Sequence, residues 1–315
     1  MLEKNLELQY LEVLQRREGL DDKALYNLKL QQRGFWGENE LHELLLKYGQ
    51  RDWLVLHDLW LGVGGTTQID LLLVTRSGLL VLDAKNYEGN YVYVNGQAMI
   101  NGKRVNHDIF TQLNRAVDKV REMCQRLGYN GLVQGHVVFV NPDSQVQVEG
   151  EAAKLALTRS AFIRVLQQLD ESDRLSIPAN LNAFQLQKLI LERFIIAPPY
   201  PPKSLSVEEV SQLKKGLCCA QCSSFEVELS RYKVTCRDCG HVEDKEQAVI
   251  RDICEYGLLT HERGLRSAEI QVMLGEQIST QYITRLLTKN FKKLAGGRYT
   301  QYENRSYWDK RRKDR

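Results

Sequence analysis

Two aspartates and a lysine stand where charge is least expected. Asp70 interrupts the apolar run Ile69-Asp70-Leu-Leu-Leu-Val74, and Asp83 and Lys85 close the run Leu79-Leu-Val-Leu82. Charged groups within apolar strands are expensive to bury unless they pair or bind a metal. Residues two apart on a strand point to one face, so Asp83 and Lys85 project together. If the two runs form a hairpin, Asp70 approaches them. This set suits phosphodiester hydrolysis. Two carboxylates hold a hard divalent cation such as Mg²⁺ or Mn²⁺, which activates phosphate and water, while an ammonium stabilises charge building on the phosphate oxygens. The plainer alternative is that Asp83 and Lys85 mark a strand end and Asp70 pairs with a surface cation.

A second set lies further on. Cys219-Ala-Gln-Cys222 and Cys236-Arg-Asp-Cys239 are two Cys-x-x-Cys knuckles, and alternating residues between them (Phe225, Val227, Leu229, then Tyr232-Lys-Val234) suggest a short hairpin. Four thiolates so spaced suit tetrahedral Zn²⁺ in a closed structural site. The arrangement resembles a zinc ribbon, with Gly240 fitting the tight turn after the second knuckle. Cys218 in place of Cys219, and His241 in place of Cys239, are alternatives with poorer spacing.

The elements that must position the acidic set follow from patterning. Leu41, Leu44, Leu45 and Tyr48 fall at helical spacing after Gly37-Glu38-Asn39-Glu40. Strands are expected over 53–61, 68–75 and 79–85, with a turn at Arg76-Ser77-Gly78. A further strand at 91–94 ends in Asn95-Gly96. A helix is expected over 108–127 and a buried strand over 135–140, followed by more helix and strand to about 196. This order argues for an α/β layer on a mixed sheet.

Gly34-Phe-Trp-Gly37-Glu38, Gln68-Ile-Asp70-Leu-Leu-Leu-Val and Gly78-Leu-Leu-Val-Leu-Asp83-Ala-Lys85-Asn86-Tyr87-Glu-Gly89 together resemble the NERD (nuclease-related domain) family of the PD-(D/E)XK nuclease superfamily. The resemblance covers roughly residues 33–150. It implies a restriction-endonuclease-like core with Asp70 as principal ligand, Asp83 as second carboxylate and Lys85 as catalytic lysine. It also implies Glu38 as a helix-borne ligand, with Glu40 as its rival. Gln112 resembles a glutamine that the superfamily often carries on the following helix. Asp83 departs from the commoner glutamate and reaches about one methylene less far.

Four of the six prolines fall in Pro198-Pro-Tyr-Pro-Pro202, a stiff boundary. Beyond it, Ser206-Val-Glu-Glu209 has the form of a capping box. Three helices are expected near 245–258, 266–275 and 279–294, and with Gly296-Gly297 they resemble a winged helix. The third would present Thr280, Gln281, Thr284 and Arg285 to base edges. Lys289, Lys292, Lys293 and Arg298 would meet phosphates, and Tyr299, Tyr302 and Tyr307 could stack. Residues 279–315 carry 11 Lys and Arg against 3 Asp and Glu, within a net charge of +3. Such a basic terminus suits a polyanion partner, or is simply a solvated tail.

The expected organisation is a helical segment over 1–32, a nuclease domain over 33–197 and a linker with a short helix over 198–216. A zinc ribbon over 217–244 and a winged-helix-like basic domain over 245–315 complete it. A composition of 43% hydrophobic and 26% charged residues is that of a soluble globular protein. With no long apolar run and no signal-peptide form at the N-terminus, the cytosol is the expected location. The reading that follows is a metal-dependent nuclease acting on nucleic acid, most simply DNA, either as a homo-oligomer or with partner proteins. The alternatives are a catalytically silent nucleic-acid-binding protein and a scaffold in a defence or repair assembly.

Overall fold

The computed structural model describes residues 2–175, 178–199, 201–297 and 300–304. Their contacts divide the chain into two units, one from residues 1–4 and 30–200, the other from 5–29 and 201–315. The chain opens with helices α1 (Leu6–Arg16) and α2 (Asp22–Tyr48).

In the first unit, strands β1 (Leu54–Gly62), β2 (Thr66–Val74) and β3 (Gly78–Lys85) form an antiparallel meander. Strands β4 (Gly89–Val94), β5 (Gln97–Ile100) and β6 (Lys103–Val105) follow, then helix α3 (Ile109–Leu127) and strand β7 (Leu132–Phe139). Next come β8 (Ser144–Val148), β9 (Ala156–Thr158), α4 (Arg159–Leu175) and α5 (Ala183–Arg193). The main sheet runs β1-β2-β3-β7-β9 and is mixed, because β7 joins β3 in parallel and β9 joins β7 in parallel. A second sheet runs β6-β5-β4-β8. As the central strand, β3 is flanked on both edges and covered on both faces, which its unbroken apolar run requires. One face packs against Leu113, Val117 and Val120 of α3 and Leu186 and Ile190 of α5. The other packs against Leu41, Leu44 and Leu45 of α2 and Phe162 and Leu166 of α4. The architecture is therefore the expected mixed sheet between helices.

The turn that delivers β3 is held from outside. Asp173 of α4 is buried and accepts from Trp53 Nε1 (3.2 Å), Arg76 N (3.1 Å), Ser77 N (2.8 Å) and the Ser77 hydroxyl. Replacing it leaves buried donors unpaired, each at a cost of about 1–3 kcal/mol. Asp173→Ala is expected to destabilise the protein by roughly 2–4 kcal/mol, read as a lower urea midpoint. An unchanged midpoint would show that water replaces the carboxylate at no cost.

In the second unit come α6 (Val207–Gln212), strands β10 (Val227–Leu229), β11 (Lys233–Cys236) and β12 (Val242–Asp244), and α7 (Lys245–Leu259). Helices α8 (Ser267–Leu274) and α9 (Thr280–Asn290) and strands β13 (Lys293–Ala295) and β14 (Gln301–Tyr302) complete it. The capping box at α6 forms as expected, Ser206 Oγ accepting from Glu209 N and Glu209 Oε2 from Ser206 N. Helix α1 packs on α7 through Arg17, a fully buried guanidinium. It donates to the Lys214 and Gly216 carbonyls and to Asp252 Oδ2 (3.3 Å).

Two expectations change. The helix expected after Gly37 is the end of the longer α2, which begins at Asp22 and runs through Gly34 and Gly37. The third C-terminal helix stops at Asn290, because Phe291 is extended (φ −127°, ψ 147°) and Lys293–Ala295 pairs with β14. Lys292 and Lys293 thus belong to a hairpin and not to a helix.

Candidate active site

The β2–β3 pairing fixes the acidic site. Its last register pair is Leu71 with Leu82. One step further along each strand stand Asp70 and Asp83, at the point where β2 leaves β3 and continues as a ribbon with β1. In the β1–β2 register, His57 faces Leu71 and Leu59 faces Ile69, so Asp58 stands opposite Asp70. Asp58, Asp70 and Asp83 form a row across three strands. Like charges directly opposite one another destabilise a sheet, so such a row calls for compensation.

Part of it comes from within the chain. Lys85 Nζ lies 2.5 Å from Asp83 Oδ1, both side chains being largely buried. Burial alone would lower the lysine pKa, but the Asp83 and Asp70 charges outweigh it and raise it above its ordinary value. The ammonium therefore keeps its proton. Asp83 Oδ2 is buried with no hydrogen-bond partner. Asp70, desolvated and within hydrogen-bonding reach of Asp83, has its carboxyl held well above the usual carboxylate range.

Glu38 reaches this group from α2. A Cβ on Gly37 would come within 3.1 Å of Asn86 Cβ, just beyond the end of β3, so glycine permits the close approach of helix and strand. The Glu38 pKa is pushed up to about 7 by burial first and the Asp58 charge second. Glu40 is turned elsewhere and pairs with Arg159 at 2.6 Å. Gln112 occupies the first turn of α3, exposed, with its Oε1 bonded to His107 Nε2 at 2.7 Å and not to the acidic group. Sequence reasoning missed Asp58, whose signal was of the same kind as that of Asp70: a lone carboxylate in the apolar run Leu56-His57-Asp58-Leu59. A cleft beside Lys85 is lined by Arg33, Asn86, Tyr87 and Ile100.

The chemistry of this donor set fits a hard divalent cation. Asp83 Oδ2 is orphaned, and Asp70 brings a second carboxyl within hydrogen-bonding reach of Asp83. Glu38 feels the charges of Asp58, Lys85 and Asp83. Among the described residues, no three of these carboxylates bring oxygens mutually within 4.8 Å as the cysteine sulfurs do.

A pH dependence follows. Folding raises the Glu38 pKa from about 4.5 to about 7. Its contribution to stability is therefore fully present below the lower value and is lost as pH rises through the upper one. Cation binding needs the ionised form and releases protons in this window. The thermal shift produced by Mg²⁺ is expected to be larger at pH 7.5 than at pH 5. Equal shifts at both would refute the coupling.

The cysteines form a separate centre. Cys219, Cys222, Cys236 and Cys239 place their sulfurs within 4.8 Å of one another. Cys219–Cys239 and Cys222–Cys236 are 3.7 and 3.6 Å apart. A tetrahedron with Zn–S bonds of about 2.3 Å has S···S edges of about 3.8 Å, so the spacing fits zinc and is far too long for disulfides. The two knuckles share one backbone design. Ser223 (φ 61°) and Gly240 (φ 72°) follow their second cysteines, and their amides bond to the Cys219 and Cys236 carbonyls. Cys218 turns away from the tetrad, its Sγ lying 3.9 Å from Asp252 Oδ1.

On α9, Thr280, Gln281, Thr284, Arg285, Thr288 and Lys289 line one concave surface. Arg285 lies over the Tyr282 ring at 4.7 Å, and Lys289 pairs with Glu246 at 2.6 Å. Lys292 and Lys293 are exposed. Arg298, Tyr299 and Tyr307 lie outside the described residues.

Residues 33–140 match the family model of NERD, the nuclease-related domain. The matched segment is about a third of the chain. It contains the whole acidic group and ends well before the four cysteines of the tetrad. No curated protein and no solved structure matches the chain. Among the described residues, no helix is long and apolar enough to cross a membrane.

Proposed function

We propose, from a nuclease-related domain over residues 33–140, that this protein is a metal-dependent nuclease hydrolysing phosphodiester bonds, most simply in DNA. The observation that supports this reading best is the Asp70–Asp83 pair, with Lys85 on one Asp83 oxygen and no partner for the other. Asp70 and Asp83 would hold the cation, with Glu38 as a further carboxylate. Bound Mg²⁺ or Mn²⁺ supplies Lewis-acid polarisation of the phosphate. Lys85, kept protonated by its two aspartates, stabilises negative charge growing on the phosphate oxygens and does not act as a base. Arg33 and Asn86, lining the cleft, would orient the strand. Gln112, on the first turn of α3, is proposed to contact the strand beyond the metal.

Incubation of plasmid with the protein and Mg²⁺ or Mn²⁺ should nick or linearise it. Cleavage undiminished when divalent ions are withheld would overturn the proposal.

The four cysteines are proposed to hold structural Zn²⁺. The unit from α7 to β14 is read as a winged helix: Leu265, between α7 and α8, bridges to Tyr302, so a third short segment joins the β13–β14 hairpin. Gln281 and Arg285 would then face bases, and Lys289, Lys292, Lys293 and Arg298 phosphates. Arg285→Ala should weaken duplex binding by about 1–3 kcal/mol, whereas Lys292→Ala should lower the salt dependence by roughly one ion. Unchanged fluorescence-anisotropy titrations for both would point to a protein partner for this face. The domain boundaries expected from the sequence, a cytosolic location, and assembly as a homo-oligomer or with partner proteins belong to the same proposal.

A further inference from the structure

Two arginines of the second unit are held in place without being neutralised. Arg231, at the tip of the β10–β11 hairpin, lies over the Tyr232 ring at 5.1 Å, and Arg285 of α9 lies over the Tyr282 ring at 4.7 Å. Among the described residues neither pairs with a carboxylate, whereas Arg16, Arg251 and Arg263 of the same unit do. A ring face orients a guanidinium but leaves its positive charge for a further partner. The hairpin tip is itself firm. Ser230 N donates to the Lys233 carbonyl at 2.9 Å, and Lys233 N donates to Ser230 Oγ at 2.9 Å. Tyr232 nevertheless stands 63% exposed, with Arg231 and Lys233 exposed on either side of it.

Lys245, the first residue of α7, ties this tip to α9. Its amide donates to the Tyr232 carbonyl at 2.8 Å, and its Nζ donates to the Ser230 carbonyl at 3.3 Å. The same Nζ lies 5.4 Å from the centre of the Tyr282 ring, in the first turn of α9. The carboxylates on either side of Lys245 are already engaged: Asp244 accepts from the Glu246 and Gln247 amides, and Glu246 pairs with Lys289. Arg231, Lys245 and Arg285 thus form one band of cations, joined through two tyrosines.

We propose that the tip of the β10–β11 hairpin extends the nucleic-acid interface of α9: Arg231, oriented by Tyr232, and Lys245 hold the phosphate backbone of the same duplex beside the stretch that α9 contacts. This rests on reading α9 as a nucleic-acid face. Charge complementarity selects the partner. A planar guanidinium offers paired donors to phosphate oxygens, and a row of cations meets a backbone of regularly repeated negative charge. The four-cysteine centre then does more than fold its own segment, because it fixes where a phosphate contact stands relative to α9.

The test is fluorescence anisotropy of the full chain, loaded with Zn²⁺, on a labelled DNA duplex, with Mg²⁺ and Mn²⁺ withheld so that the duplex stays intact. Arg231→Ala should weaken binding about tenfold, the usual loss of one hydrogen bond to a charged group. It should also lower the salt dependence by roughly one ion, whereas Arg231→Lys, which keeps the charge, should retain it. Tyr232→Ala frees the guanidinium and should weaken binding severalfold, and Tyr232→Phe, which keeps the ring, should restore it. Arg285→Ala, titrated alongside, reports on α9 itself. Weaker binding by Arg285→Ala, with affinity and salt dependence unchanged in Arg231→Ala and Tyr232→Ala, would exclude the hairpin tip and leave the α9 reading standing. Unchanged binding by all three would overturn both, and would favour an acidic protein as the partner of this band.

Discussion

Lys85→Ala is expected to lower Mg²⁺-dependent plasmid cleavage by about 10²–10³-fold, the usual loss on removing one preorganised group that stabilises transition-state charge. The lysine makes its ion pair within the site itself. It sits at the last residue of β3, and its Nζ pairs with Asp83 on the side chain. The variant leaves both Asp83 oxygens without that partner, so cation binding should persist or tighten while turnover falls. That split separates catalysis from ligation. Asp83→Ala, by contrast, should lose binding and cleavage together. Equal cleavage by wild type and Lys85→Ala would sink the catalytic assignment and favour a nuclease-like fold that only binds nucleic acid. Initial rates on supercoiled plasmid, with Mn²⁺ affinity measured on the same preparations, decide between these outcomes.

Stripping metal from the four cysteines should have the largest effect on stability. The ribbon has little core of its own: β10, β11 and β12 have three or four residues each, and Val234 is the buried apolar residue among them besides Cys236. Structural zinc in such segments contributes on the order of 10 kcal/mol of binding free energy that becomes folding free energy. A strong chelator is expected to release one Zn²⁺ per chain and expose residues 217–244 to protease. Cys236→Ser, which removes a thiolate whose pKa backbone amides lower to about 7, should bind zinc far more weakly. Release of no zinc, or a proteolysis pattern unchanged by chelation, would exclude a structural metal. Nuclease activity is best assayed with the chelator absent, because it would also compete for the catalytic cation.

Much of this was legible in the sequence because the decisive information was local. Asp83 and Lys85 share a face by strand geometry alone, whatever the strand packs against. The cysteine ligands come as two short knuckles whose loops set their own geometry. The apolar run Leu79–Leu82, short and preceded by the turn at Arg76-Ser77-Gly78, reads as a buried strand and is one. Tertiary structure decided the rest. Glu38 and Glu40 are two residues apart on α2 and so point to roughly opposite sides of the helix. Only the packing of Gly37 against Asn86 determines that Glu38 turns to the aspartates and Glu40 to Arg159. The grouping of residues 5–29 with the C-terminal half depends on buried Arg17 meeting Asp252, a contact 235 residues away in sequence.

Asp58 shows the division most clearly. Strand geometry together with the resemblance to a nuclease-related domain marked Asp70, Asp83 and Lys85 as a set suited to cation-assisted phosphate chemistry, the activity proposed above. The register of β1 on β2 and of β2 on β3 placed a third aspartate in the same row. No periodicity could have predicted it, because the alternation of both strands inverts there: Leu56 and Leu59, an odd number of residues apart, both enter the core under α3, and Ile69 and Leu72 do the same. Local patterns fix which residues share a face of one strand, but only pairing between strands fixes which of those residues meet.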